Sequence, residues 1–363
     1  MSTDTPHPRE TSELLGHAGA EKALLDAWTS GRLAHAWLIC GPKGIGKATL
    51  AYRFARFVLA GGDEGGGLFG GPPETLDIRP DHPVFRRVAA QGHADLEAVE
   101  RRWADDKKTK LKTEIVVEDV RGIGGFMSLT PAEGGWRVVV IDSADEMNRN
   151  AANAVLKVLE EPPRNALMLL VSHSPGRLLP TIRSRCRRLM LQPLAEDVVA
   201  GLLDRQRPGL PSADLAALAR LGEGSIGKAL ALADEGGLDL YRELMELLQG
   251  LPRLDVPALH AFGDRVARPE NDGSFRTLTE LLTWWLARLI RAGGRRGEGM
   301  TEVVTGEGAL MNRLLAAASL EQWLEVWEKI TTLFARTEAV HLDRKQAVLG
   351  AVLSVERLAS ARA

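Results

Sequence analysis

Gly41-Pro42-Lys43-Gly44-Ile45-Gly46-Lys47-Ala48-Thr49 is the stretch of this chain best equipped for chemistry, and that chemistry is phosphate binding. The frame of a phosphate-binding loop is G-x-x-x-x-G-K-[ST]. Gly41, Gly46 and Lys47 fit it, but Ala48 stands where a magnesium-ligating hydroxyl belongs. Glycines let the backbone curl so that successive N–H groups face an anion. The helix that follows adds its positive N-terminal end, and Lys47 adds a mobile charge for the outer phosphates. Thr49 does not replace the missing hydroxyl, because one helical step turns a side chain by about 100°. A cradle without its magnesium ligand is suited to hold a nucleotide without hydrolysing it.

A second chemical group closes the run Trp136-Arg137-Val138-Val139-Val140-Ile141-Asp142. This run reads as a strand buried on both faces and ending in an acid. In a phosphate-loop protein such an aspartate holds magnesium through water; otherwise the run is an ordinary buried strand before a polar turn. Active ATPases place a glutamate after the aspartate, and here that residue is Ser143, with Asp145 and Glu146 nearby but out of register. Ser172-His173-Ser174-Pro175 follows the apolar run 166–171 and either senses a terminal phosphate or starts a turn.

These groups need elements to position them. His35-Ala36-Trp37-Leu38-Ile39-Cys40 reads as a buried strand entering the loop, and Leu50, Ala51, Phe54, Ala55, Val58 and Leu59 recur at helical spacing after it. Residues 11–30 read as a helix with Leu14, Leu15, Leu24, Leu25 and Trp28 on one face. Gly61 to Pro73 is a glycine-rich loop. The segment Arg86 to Lys112 is charged, with Arg101-Arg102-Trp103 and Lys107-Lys108-Thr109-Lys110-Leu111-Lys112. It is either a solvated insertion or a contact for nucleic acid or a partner. Ile115-Val116-Val117 opens a second βα unit, and Met147 to Glu161 reads as a helix stopped by Pro162-Pro163. Strands alternating with helices imply a parallel sheet with its site at the strand C-termini.

After Pro193 the pattern is helical only, with two or three short helices in 194–235 and a helical region over 238–361. Trp284-Trp285 and Trp323 with Trp327 fall among leucines at helical spacing, which suits core packing or a subunit interface. Arg291 to Gly299 is a Gly/Arg loop with no assigned role.

Composition narrows the class. At 363 residues the chain suits two or three domains. It is 45% hydrophobic and 26% charged with a net charge of −2, so no global field advertises nucleic acid. Cys40 and Cys186 suggest neither a disulfide framework nor a zinc site, which fits a reducing cytoplasm. Met1 to Glu10 lacks the apolar segment of a signal peptide, and no apolar run reaches membrane-spanning length, so no membrane is expected.

The motifs together resemble bacterial clamp-loader AAA+ subunits over essentially the whole chain. Asn153-Ala154-Val155-Leu156-Lys157-Val158-Leu159-Glu160-Glu161-Pro162-Pro163 resembles the helix after their second nucleotide motif. Ser184-Arg185-Cys186 resembles their S-R-C signature, and Leu342-Asp343-Arg344-Lys345-Gln346 a C-terminal helix of the family. The resemblance implies an α/β P-loop AAA+ module, a parallel sheet flanked by helices, over residues 1–193. It implies a small helical lid over 194–237 and an all-α collar for oligomerisation over 238–363. The implied partners are the other clamp-loader subunits (delta and tau/gamma types) in a hetero-pentameric ring, the sliding clamp, and primed DNA through the complex. The implied role of Arg185 is an arginine finger supplied in trans to a neighbour's ATP site; the competing reading is a basic surface of Arg183, Arg185, Arg187 and Arg188 on DNA backbone. ATP is the expected cofactor, its magnesium in question because of Ala48. Zinc is not expected, because residues 60–115 lack the cysteines that hold it in many members. The family's motor subunit has an arginine in a lid G-S-x-R pattern, and Gly224-Ser225-Ile226-Gly227 puts glycine there. With Ala48 and Ser143, that makes three losses, and the expected member is one that does not turn over ATP; the alternative is the family's active ATPase motor. No polymerase activity is expected of this chain itself.

Overall fold

A computed structural model of the chain describes residues 6–62, 73–104, 111–133, 135–268, 272–294 and 301–360. They form two compact units. The first runs to Leu202 and takes in Glu223–Gly227; the second comprises Leu203–Gly222 and the chain from Lys228 onward.

The first unit is built on five parallel strands: β1 (Ala36–Cys40), β2 (Leu96–Val99), β3 (Arg137–Ile141), β4 (Ala166–Ser172) and β5 (Arg187–Met190), in the order β2-β3-β4-β1-β5. The three central strands are buried along their whole length, which is why β1, β3 and β4 read as unbroken apolar runs. Register places Cys40 beside Ser172, and Ile141 beside Leu170. The loops after β1, β3 and β4 therefore open on one edge of the sheet.

Helices cover both faces. On one side are α1 (Ala18–Thr29), α2 (Lys47–Leu59) and α3 (Pro83–Ala89), packed with Leu24, Phe54, Phe85 and the sheet residues Ile39 and Val140. On the other are α4 (Val117–Val120), α5 (Ile123–Ser128), α6 (Arg149–Glu160) and α7 (Pro180–Arg185), packed with Leu38, Val139, Val155 and Ile182. Asn148 caps α6 by accepting from the Ala151 amide at 2.9 Å. The helix after Leu194 is α8 (Glu196–Gln206).

Three expectations need correction. Residues 11–17 are not helical: α1 starts at Ala18. The preceding strap is held in an irregular course by arginines of α2. Arg56 donates to the Arg9 carbonyl at 2.9 Å and the Thr11 carbonyl at 2.8 Å, and Arg53 to the Ser12 carbonyl. Backbone captured in this way overrides local helical preference. The charged segment from Arg86 is not an insertion outside the fold, since it completes α3 and supplies β2, whose partner is the distant β3. Lys107 to Lys110 lie outside the described residues, as do residues 63–72 of the glycine-rich loop and 295–299 of the Gly/Arg loop. Finally, Ile115–Val117 forms no sheet strand. Ile115 makes one isolated bridge to Met147, and Val117 begins α4.

The second unit is helical: α9 (Ser212–Gly222), most of α10 (Ile226–Asp234), α11 (Gly237–Gln249), α12 (Val256–Val266), α13 (Asp272–Gly294), α14 (Glu307–Ala317), α15 (Leu320–Val340) and α16 (Arg344–Ala359). Trp285 and Trp323 are fully buried core residues. Trp284 and Trp327 are half-buried. The fully buried Glu307 accepts from the Tyr241 hydroxyl at 2.5 Å, Arg288 at 3.0 Å and the Val303 amide at 2.8 Å.

Candidate nucleotide site

The loop Gly41–Gly46 joins β1 to α2. Gly41, Gly44 and Gly46 have φ of 145°, 76° and 100°, a region L side chains rarely adopt. A Cβ on Gly41 would meet the Leu191 carbonyl oxygen at 2.6 Å. Gly46 is the residue before α2, and the first intrahelical bond runs from the Leu50 amide to its carbonyl at 2.9 Å. The N–H groups of Lys47, Ala48 and Thr49 thus belong to the helix's unsatisfied first turn. Pro42 and Lys43 are exposed, and Ile45 is buried. Gly46, Ala48 and Thr49 are half-buried.

Lys47 is buried, with only 2% exposed. Burial lowers its pKa to about 8, against the opposing charges of Asp142 and Asp145. Its Nζ donates to the Pro42 carbonyl of its own loop. Asp142 lies after β3, and burial raises its pKa, with Glu100 adding to that rise and His7 and Lys47 opposing it. The structure therefore brings the expected lysine and aspartate into electrostatic reach of one another at the strand ends. A glycine cradle, a first-turn helix end and a buried lysine fit a phosphate group. The Ala48 side chain offers no oxygen to a magnesium ion.

The residue after the aspartate behaves differently from a catalytic glutamate. Ser143 sits at φ 60°, and its Oγ lies 3.1 Å from His173 Nε2. Burial, with the charge of Lys47, lowers the His173 pKa to about 4, so the ring is neutral near pH 7. Asp145, out of register in the sequence, is 7% exposed and accepts from the His173 amide at 2.9 Å and the Ser174 amide at 3.0 Å. Burial pushes its carboxyl up, but hydrogen bonding, that from the His173 amide first, outweighs this and leaves the pKa below the usual value. The end of β4 is thereby tied to the turn after β3.

Two further contacts were not legible in the sequence. His17 is buried, and its Nε2 lies 2.6 Å from the Ile45 carbonyl, tying the strap to the loop. The Gly227 amide donates to the Gly44 carbonyl at 2.9 Å, and a Cβ on Gly227 would meet Gly44 Cα at 2.9 Å. The position expected to have lost an arginine is packed backbone to backbone against the loop tip. A G-S-x-G tetrapeptide is the only local signal of that contact.

Arg185 is the last residue of α7. Its Nη2 lies 2.7 Å from Glu160 Oε1, and its Nη1 donates to the Thr181 carbonyl at 3.0 Å. Arg187 stacks on the Trp37 ring at 4.8 Å, and Arg187 and Arg188 lie on the exposed edge strand β5. Among the described residues no group of three or more His, Cys, Asp or Glu side chains could hold a metal ion, and no helix is long and apolar enough to cross a membrane.

A parallel sheet in the order β2-β3-β4-β1-β5, with a phosphate loop after β1, an acid after β3 and a polar strand end after β4, defines an AAA+ type P-loop module. The model of a family described as "DNA polymerase III, delta subunit" matches residues 16–195. The DNA polymerase III subunit delta' of Pseudomonas aeruginosa is 34% identical over 225 residues, 62% of this chain and 63% of that protein. The Escherichia coli K12 subunit delta' is 33% identical over 210 residues, 58% of this chain and 57% of that protein. The subunit tau of the same organism is 29% identical over 232 residues, 63% of this chain and 33% of that protein. The matched region thus spans from a third to just under two thirds of these relatives. A gamma-subunit-related protein of DNA polymerase III from Thermotoga maritima superposes with a TM-score of 0.45 at 17% identity, covering 93% of this chain and 99% of that one. Residues 16–195 thus carry the match to bacterial DNA polymerase III clamp-loader subunits, delta' subunits among the relatives.

Proposed function

We propose that this chain is a non-hydrolysing AAA+ subunit of a bacterial clamp loader. It supplies Arg185 in trans to the ATP site of a neighbouring subunit and so helps load a sliding clamp onto primed DNA. The observation that carries the reading is the contrast within its own site. The anion cradle with Lys47 is intact, while Ala48 lacks the metal-ligating oxygen, Ser143 is paired with His173, and Gly227 is packed on Gly44. Such a site suits a bound phosphate, and the position after the aspartate offers Ser143 in place of a carboxylate to polarise an attacking water. Arg185 is a permanently charged fork placed on the surface at the end of a short helix, the chemistry an in-trans finger requires. In this reading the helices beyond residue 238 form the collar through which the subunits join in a ring, residues 194–237 act as the lid, and the delta and tau/gamma types are the partners.

The test is Arg185→Ala in the assembled complex. The ring is expected to form, and clamp- and DNA-stimulated ATPase activity is expected to fall by 10³-fold or more, the scale of in-trans fingers. Unchanged ATPase activity refutes the assignment. The second reading, an ATPase motor, draws on the buried Lys47 within the field of Asp142. Steady ATP turnover by the purified chain, lost in Lys47→Ala, would establish it instead.

A further inference from the structure

The two motifs that identify the family are bonded to each other. Glu160 of Leu159-Glu160-Glu161-Pro162-Pro163 holds Arg185 of Ser184-Arg185-Cys186 at 2.7 Å. Both residues are placed by buried packing. Pro162-Pro163 stops α6 so that Glu160 is its final residue, with Leu159 buried in the core just before it. Pro180 begins α7, and Ile182 and Cys186 anchor it against the sheet. The pair itself lies at the surface, with side chains 35% and 48% exposed.

From this geometry we infer that Glu160 parks the Arg185 guanidinium within its own subunit, and that a neighbour's polyphosphate must displace it. The inference rests on the in-trans reading of Arg185. A carboxylate and a phosphate compete for the same planar fork of donors. The competition is resolvable because an ion pair this exposed is weak; pairs of this kind shift an equilibrium by no more than about fivefold. That is enough to keep an unengaged finger neutralised and too little to hold it against a multiply charged nucleotide. The Thr181 carbonyl, bonded to the other terminal nitrogen, keeps the fork in place during the exchange. Glu160 is thus a positioning residue that sets the nucleotide concentration at which the finger engages. It touches no reacting group.

The experiment is ATPase kinetics of the assembled complex carrying Glu160→Gln, Glu160→Asp, Arg185→Ala, or Glu160→Gln with Arg185→Ala. With the competing charge removed, Glu160→Gln is expected to lower the KM for ATP up to about fivefold and to raise the ATPase rate without clamp and DNA, leaving kcat with both present unchanged. Glu160→Asp retains the charge and is expected to keep the wild-type KM. The double variant is expected to show the Arg185→Ala rate. An unchanged KM in Glu160→Gln, or a fall in kcat alone, overturns the parking role. A melting curve for each full-length variant that matches wild type shows that neither effect comes from unfolding. If Arg185→Ala itself leaves the rate unchanged, the in-trans reading fails. If Arg185→Ala abolishes stimulation while Glu160→Gln behaves as wild type, the parking role alone fails.

Discussion

Removing the Asp145 carboxylate should release the end of β4 from the turn after β3. Asp145 is 7% exposed, and both its oxygens are used, one by the His173 amide and one by the Ser174 amide. A hydrogen bond to a charged group contributes about 1.5–3 kcal/mol, and a buried donor left unpaired carries a desolvation cost of similar size. Two such bonds, partly re-satisfied by water entering the gap, give about 3 kcal/mol for Asp145→Ala. Converted at about 1.4 kcal/mol per tenfold, this is roughly a hundredfold increase in the local opening equilibrium. The assay is native-state amide hydrogen exchange at His173 and Ser174. Both amides should exchange roughly a hundredfold faster, while core amides of β3 exchange at most as much faster as global stability falls. Asp145→Asn keeps one acceptor oxygen and turns the other position into a donor, so it should expose one of the two amides. The pH dependence has a defined sign. The folded-state pKa lies below the ordinary carboxyl value, so this stabilisation is present above that value and is lost as pH falls through the folded pKa. Wild-type exchange rates at both amides in Asp145→Ala would refute the argument, since something other than the carboxylate would then be protecting them.

The other predictions concern the loop, the lid glycine and the helical unit. Burial lowers the Lys47 pKa to about 8 against an ordinary value of 10.5, so the stability of wild type relative to Lys47→Met should rise as pH increases from about 8 to 10.5, as read by urea unfolding. Restoring the family's lid arginine with Gly227→Arg should not restore turnover and should lower Tm, because its Cβ would meet Gly44 Cα at 2.9 Å; ATPase activity in that variant would show the contact to be soft. Glu307→Ala leaves Arg288 and the Tyr241 hydroxyl without their buried acceptor and should cost about 3–5 kcal/mol in denaturant unfolding followed by tryptophan fluorescence. A loss under 1 kcal/mol there would mean that water replaces the carboxylate.

What the sequence determined by itself was whatever is encoded locally. The glycine spacing and Lys47 define the loop, because few backbones other than a phosphate cradle need left-handed conformations at that spacing before a helix. The apolar runs of β1, β3 and β4 announce central strands, because burial on both faces leaves no polar alternation. Pro162-Pro163 marks the end of α6 because proline cannot continue a helix. Tertiary structure decided what depends on partners far along the chain. β2 and β5 are edge strands with polar or exposed residues, and only their pairing with β3 and β1 makes them strands. The strap before α1 is irregular and not helical because Arg53 and Arg56, some 40 residues later, take its carbonyls. Asp145 looked idle because its value lies in two backbone amides at the end of another strand. Glu160 and Arg185 were each readable as a motif letter, but their bond, and the competition it sets up, exists only once α6 and α7 pack side by side.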